Sequence, residues 1–227
     1  MKHIAPDYDE HPERFATARA VVRRHGPGHD VHGRVAARLS AERLTPVLDV
    51  GCGDGELAKH LPDGAWVGVD SSPEMLARAP EPSIEGNATA LPFADSEFGS
   101  VALLYVLYHL PDPGRALDEA HRVLRSEGLV AVAAPSRDDS PELAHVLAGG
   151  PLTFDAERAG PLLEERFADV QVERWDAPLL QLPTREAIRD YLIGKCVERE
   201  RARAAAETLE APLTVTKRGA LAYGRRV

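Results

Sequence analysis

Apolar positions along this chain switch between two periods. Val47-Leu48-Asp49-Val50 and Val67-Gly68-Val69-Asp70 are short aliphatic runs followed by glycine or serine, the composition of brief strands. Val101 to Tyr108 is nearly continuously apolar, which predicts a central strand covered on both faces. Leu129 to Ala134 reads as the next parallel strand, with Val170 to Trp175 and Leu213 to Tyr223 as later ones. Between them the spacing lengthens to three and four residues. Helices are predicted over Glu13–Val22, from His29 or Asp30 to Leu39, over Glu56–Leu61, from Ser72, over Gly114–Arg125, 141–148 and 155–167, and from Thr184 to about Leu209. Gly26-Pro27-Gly28 separates the first two, and Ser126-Glu127-Gly128 ends the Gly114 helix. There is no internal repeat, linker or low-complexity tail.

Candidate chemistry gathers where the first strand meets Gly51-Cys52-Gly53-Asp54-Gly55. A glycine turn between strand and helix lets the backbone approach a nucleotide-like ligand, because glycine has no Cβ and tolerates positive φ. A dinucleotide fingerprint needs Gly-x-Gly-x-x-Gly. Glu56 stands where the third glycine belongs, crowding a pyrophosphate and placing a negative charge beside it. Dinucleotide binding is therefore disfavoured. Asp70 ends the second strand about twenty positions on, where a carboxylate can accept from both ribose hydroxyls. Ser72 is the predicted N-cap of the next helix, with Pro73 first inside it.

Together, VLDVGCGDG (47–55) and VGVDSSPEML (67–76) resemble the class I S-adenosylmethionine-dependent methyltransferases, particularly the branch acting on small molecules in quinone and natural-product biosynthesis. The resemblance runs from about Val47 to Pro135. It implies an α/β fold: a Rossmann-like, seven-stranded, mostly parallel sheet with helices on both faces and the last strand antiparallel. It further implies an N-terminal helical lid (1–45) on a methyltransferase domain (46–227), with a helical insert around 184–210. The implied cofactor is S-adenosyl-L-methionine, leaving S-adenosyl-L-homocysteine as product. By the same resemblance its binding residues are Asp49, Gly51, Cys52 and Gly53, Asp70 at the ribose hydroxyls, Ser71 in the following backbone beside the adenine, Met75 on the base, Asn87 and Ala88 at the adenine edge, Leu104 and Tyr105 at a strand end, and Tyr8 from the lid. Core packing for Met75 and simple exposure for Tyr8 are the competing readings.

Three positions depart from the family pattern. Asn87 replaces the usual aspartate; its amide oxygen still accepts a bond, without the charge. Tyr108 stands for the first histidine of a His-His-Leu-x-Asp segment, and Gly99 stands where aspartate is common. Open parallel sheets bind ligands at the carboxyl ends of their strands, so Tyr105, Tyr108 and Arg137 are candidate substrate contacts. His109, Tyr108 and His29 are candidate catalytic groups, and His32 also has a suitable intrinsic pKa. Each has a purely structural alternative. No further ligand set accompanies His25, His29 and His32, so no metal is expected.

Charge narrows the acceptor. The 27 basic residues against 36 acidic ones give a net charge of -9 and a pI near 5.5, which opposes nonspecific attraction to a phosphate backbone. The Asn/Asp-Pro-Pro-Tyr motif of amino-methylation on DNA bases is absent at Tyr105 to Tyr108. A small-molecule acceptor, methylated at O, N or C, is expected. An RNA-modifying enzyme and a noncatalytic cofactor-binding regulator are the alternatives. With 227 residues one large α/β domain is expected. No apolar run reaches the ~18 residues that span a bilayer, the N-terminus lacks a signal-peptide core, and the two cysteines suggest neither a disulfide framework nor a zinc cluster. The consistent reading is a soluble, cytoplasmic protein of unassigned oligomeric state.

Overall fold

Strand β1 (Val47–Val50), buried at every position, lies between β2 (Trp66–Asp70) and β4 (Phe98–Leu104), parallel to both. The computed structural model describes residues 12–26, 30–147 and 152–227. With β3 (Ser83–Glu85), β5 (Leu124–Pro135), β6 (Ala168–Leu182) and β7 (Leu213–Arg225), these strands form one seven-stranded sheet in the order β3-β2-β1-β4-β5-β7-β6. All characterised pairings are parallel except β5 with β7, which runs antiparallel from Leu129 opposite Arg225 to Pro135 opposite Gly219. The Rossmann-like expectation is met. β4 is buried at every position, as its unbroken apolar run requires.

The chain divides into two compact units. One comprises 31–137, 152–174 and 219–227. It holds the parallel strands with α2 (Val31–Ala41), α3 (Pro73–Leu76), α4 (Pro113–Val123) and α5 (Ala156–Glu164). Its core joins β1, β4 and β5 to Ala116, Leu117, Ala120 and Val123 of α4 and Leu163 of α5. Asp112 caps α4 by accepting from the Arg115 N–H at 3.2 Å, satisfying a donor the helix itself cannot.

The other unit comprises 1–30, 138–151 and 175–218. α1 (Pro12–His25), α6 (Arg185–Gly194) and α7 (Arg199–Thr208) belong to it, with a core that includes Ile188, Leu192 and Val215. Gly194 allows α6 to approach α1, since a Cβ there would meet the Ala18 backbone nitrogen at 2.9 Å. Within this core the Lys217 ammonium is paired with Asp139 and donates to Ser140 Oγ (3.0 Å) and Tyr191 Oη (3.1 Å).

Several predicted boundaries are corrected. The helix predicted over Glu56–Leu61 is a single 3-10 turn, Leu57–His60, and that over 141–148 is a 3-10 turn, Pro141–Leu143. The Gly114 helix ends at Val123, and Ser126-Glu127-Gly128 lies inside β5, where the pairing with β4 shifts register. β6 continues past Trp175 to Leu182 despite Pro178, because an edge strand tolerates a missing N–H. The segment predicted as one helix from Thr184 breaks after Gly194. Cys196 turns to φ 60, and Glu198 starts α7 by accepting from the Glu200 and Arg201 N–H groups at 3.0 Å each.

Candidate functional site

Two adjacent strand tips build the site. β1 and β2 end in register, Val50 opposite Val69, and the Val69 carbonyl accepts from both Gly51 N–H (2.7 Å) and Cys52 N–H (3.1 Å). The chain must then turn with Gly51 at φ +70, where a Cβ would also overlap the Val106 side chain. Glycine is needed there on both counts. Gly53, at φ 56, donates its N–H to Asp70 Oδ2 at 2.8 Å, while Asp70 Oδ1 accepts from Ser72 N–H at 3.0 Å. The Asp70 carbonyl in turn accepts from Gly86 N–H at 2.9 Å, drawing in the segment that carries Asn87 and Ala88. Ser72 Oγ accepts from Met75 N–H at 3.2 Å and caps α3 as predicted. Asp70 thus ties three loops together.

Asp49 sits beneath this turn, 4% exposed. Trp66 Nε1 donates to its Oδ2 at 3.1 Å. Burial raises the Asp49 carboxyl to about 7, opposed by the indole N–H and reinforced by the Asp70 charge. Cys52 is also buried; burial and the nearby Asp49 and Asp70 charges push its thiol far up. It is therefore a neutral thiol rather than a nucleophile. Trp66 was not among the residues singled out by sequence. Its signal was the glycine two positions later on the same strand face, which leaves room for an indole.

The segment after β3 is held by a second knot. Arg122 of α4 donates to the Phe93 carbonyl (2.8 Å), the Leu91 carbonyl (3.1 Å) and Glu119 Oε1 (2.8 Å), and Glu119 Oε2 accepts from Leu91 N–H at 2.7 Å. Asn87 Oδ1, proposed from sequence as an acceptor for a ligand amino group, accepts from Thr89 N–H and Thr89 Oγ1 at 2.9 Å each. Its amide nitrogen is the group that remains for a ligand. Ala88 is half-buried and Ser71 exposed. Met75 is 2% exposed and serves as core in this state.

At the carboxyl end of β4, Leu104 is buried and Tyr105 adopts φ 61 while donating its N–H to the Ala133 carbonyl at 2.9 Å. A left-handed tyrosine costs of order 1–3 kcal/mol. Its ring lies 6.5 Å from that of His32 on α2, centroid to centroid. Tyr108 and His109 follow on the 3-10 turn Leu107–His109, their rings 4.2 Å apart, and the Tyr108 carbonyl accepts from Thr153 Oγ1 at 3.3 Å. The structure brings Tyr105 and His32 together, and Tyr108 and His109 together. Arg137 is engaged elsewhere: its guanidinium pairs with Asp155 (2.9 Å) and Glu157 (3.4 Å). Gly99 lies near the amino end of β4, where a Cβ would meet the Thr45 carbonyl oxygen at 2.8 Å. That departure from the family pattern reflects packing against the preceding loop. Tyr8 and His29 lie outside the described residues. Among the described residues no helix is long and apolar enough to cross a membrane.

A glycine turn and an acidic strand tip, side by side on a sheet of order 3-2-1-4-5-7-6 with one antiparallel strand, define the Rossmann-like methyltransferase fold. Residues 48–132 match the family model described as a methyltransferase domain. A demethylmenaquinone methyltransferase of Chlorobaculum parvum is 35% identical over 122 residues, covering 48% of this chain and 51% of that protein. A malonyl-[acyl-carrier protein] O-methyltransferase of Dechloromonas aromatica is 34% identical over 158 residues, covering 65% and 53%. The chain thus spans about half the length of these curated relatives. Among solved structures, a possible histamine N-methyltransferase of Thermotoga maritima superimposes with a TM-score of 0.61 at 17% identity, over 99% of this chain and 98% of that one. The [4+2]-cyclase SpnF superimposes with 0.63 at 20%, over 99% and 96%. These two likenesses show the fold. Residues 48–132 thus carry a methyltransferase domain, the class for which the sequence implied S-adenosyl-L-methionine as cofactor.

The residues present fit that cofactor. An ionised carboxylate offers about four lone-pair sites; Asp70 uses two of them on Gly53 and Ser72, one per oxygen, so each oxygen can still take a sugar hydroxyl. Beside it the turn is stripped of side chains at Gly51 and Gly53.

Proposed function

We propose that this protein transfers the methyl group of S-adenosyl-L-methionine to an oxygen, nitrogen or carbon atom of a small-molecule acceptor. The observation that carries the reading is the Asp70 carboxylate, fixed by one backbone N–H on each oxygen beside a turn that has no side chain at Gly51 and Gly53. In this reading Asp70 takes the ribose; Asp49, Gly51, Cys52 and Gly53 follow the amino-acid half; Ser71, Met75, Asn87 and Ala88 border the base; Leu104, Tyr105 and Tyr8 complete the contact.

When bound, the cofactor supplies a methyl group already activated on a sulfonium. The protein's task is then alignment of acceptor, methyl carbon and sulfur, which can be worth ~7–11 kcal/mol in well-oriented systems. A general base adds ~10²–10⁴-fold where the acceptor must lose a proton. Tyr108 and His109, their rings tilted together on one turn, and His32 beside Tyr105 are the described groups suited to it, with His29 a further candidate. Tyr105 and Tyr108 are proposed acceptor contacts. Arg137 is proposed to act on the acceptor side through the Asp155 and Glu157 pairs that fix it.

A small acceptor is supported by the names of the two relatives above and by the net charge of -9, which disfavours nucleic acid. The test is a metabolite-extract screen with isotope-labelled methyl donor, reading the labelled product by mass. A labelled small molecule supports the proposal. Label recovered in RNA, or tight donor binding with no labelled product from any extract, overturns it.

A further inference from the structure

Trp66 takes no part in the reading above, yet its position is specific. Its indole runs along β2 across Gly68, where a Cβ would meet the ring at Trp66 Cζ2 (2.6 Å) and Cys52 Sγ (2.8 Å). Gly68 is registered opposite Asp49 on β1, so the indole N–H reaches across the strands to Asp49 Oδ2 at 3.1 Å. Among the described residues that N–H is the sole donor to the Asp49 carboxylate. The other oxygen accepts from no donor among the described residues.

Among the described residues no cation compensates this carboxylate. The titratable groups facing Asp49 are Asp70 at the tip of β2 and Cys52 in the turn, and no lysine or arginine among the described residues acts on it. A buried carboxylate so placed is unfavourable while ionised. A ligand that brings a positive charge to the same turn relieves it.

We propose that Trp66 is a positioning residue that holds Asp49 as an electrostatic reader of the ligand's charge, so that the cationic sulfonium donor is preferred over its neutral thioether product. This rests on the cofactor site proposed above. Donor and product share adenine, ribose and amino-acid groups and differ in the methyl group and in the charge at sulfur. A device that sorts them must therefore act through charge or through the space a methyl group fills. Burial raises the Asp49 carboxyl into the neutral range, so the preference is expected to vary with pH. Ionised Asp49 favours the sulfonium; protonated Asp49 does not distinguish the charge. The indole N–H opposes the upward shift, and removing it moves the transition to higher pH.

The experiment is calorimetric titration of the full chain with S-adenosylmethionine and, separately, S-adenosylhomocysteine between pH 5.5 and 8.5, for the native protein, Trp66→Phe and Asp49→Asn. The expected result is a ratio of product to donor dissociation constants that rises at least fivefold with pH in the native protein. Trp66→Phe should shift the midpoint upward by about half a pH unit or more, and Asp49→Asn should flatten the added rise. Titration belonging to the ligands themselves persists in Asp49→Asn, so the difference between the two proteins isolates the carboxylate. If Trp66 served packing alone, Trp66→Phe would weaken both ligands equally with an unmoved midpoint, and the proposal would be wrong. A second readout needs no ligand: Trp175→Phe leaves Trp66 as the only indole of the two, and its emission should titrate with Asp49. Failure of the native protein to bind either ligand would overturn the cofactor site itself. Tight binding with a pH-independent ratio would overturn this inference alone.

Discussion

Asp70→Asn separates the two jobs assigned to that carboxylate. Each oxygen accepts one backbone N–H, from Gly53 at 2.8 Å and from Ser72 at 3.0 Å. The amide keeps one acceptor oxygen and turns an NH2 group toward the other donor, so one charge-assisted bond is lost and the other becomes neutral. Bonds to charged groups contribute about 1.5–3 kcal/mol each. Asp70 is half-buried, and water replaces part of the loss, so the free protein should lose about 1–2 kcal/mol. The sugar hydroxyls face the same change of acceptor, with less access for water once the ligand is seated. That predicts a further loss of about 2–3 kcal/mol in affinity, roughly 30–150-fold. Urea unfolding of the free protein measures the first quantity, and calorimetry measures the second. Donor and product carry the same ribose, so both should weaken by the same factor, unlike the response expected of Asp49→Asn. Dissociation constants within threefold of the native values would refute the role of Asp70.

Gly51→Ala should abolish measurable cofactor binding, because it forces a Cβ into Val106 at φ +70; native-like calorimetry would show that the turn is built differently. Arg122→Ala removes five bonds, two to Glu119 and one each to Phe93, Leu91 and Asp95, and leaves the Glu119 carboxylate with the Leu91 N–H as its hydrogen-bond donor. It should lower stability by about 2–4 kcal/mol in urea unfolding. The same pair sets an acid limit. The Arg122 hydrogen bond holds the Glu119 carboxyl below its ordinary value, so its contribution is complete above that value and is lost as pH falls through the depressed one. In Arg122→Ala, unfolding midpoints should fall less steeply between pH 5 and 3 than in the native protein; parallel curves would contradict the pairing. Leu117→Ala, at a fully buried position on α4, should cost about 2–5 kcal/mol, read from the denaturation midpoint.

The elements legible in sequence are those whose cause is local. β1, the positive-φ turn, β2 and the Ser72 cap each depend on residues within a few positions of one another, and glycine spacing alone separates the turn from a dinucleotide loop. Edges and breaks were less legible. Pro178 argues against a strand until β6 is known to lie on the sheet edge. The Lys195–Glu198 break follows no proline or glycine consensus, since it depends on a cysteine held at φ 60 beside the buried Val197.

The same distinction explains why half of the candidate site is harder to read. A cofactor recognised through its sugar needs one carboxylate and an uncluttered backbone, both written in a short stretch. The acceptor side draws on pairs distant in the chain: His32 with Tyr105, Thr153 with Tyr108, Arg137 with Asp155. Arg137 shows the consequence. Its place just past the end of β5 marks it as a substrate contact, yet two carboxylates at the start of α5 already hold its guanidinium. Trp66 is the opposite case, an unremarked strand residue whose N–H becomes specific because position 68 has no side chain and position 49 lies on the neighbouring strand. Residue type and spacing identify the ligand a turn can admit. What discriminates among ligands is set by contacts across strands, and there the registered pairing of β1 with β2 carries the information.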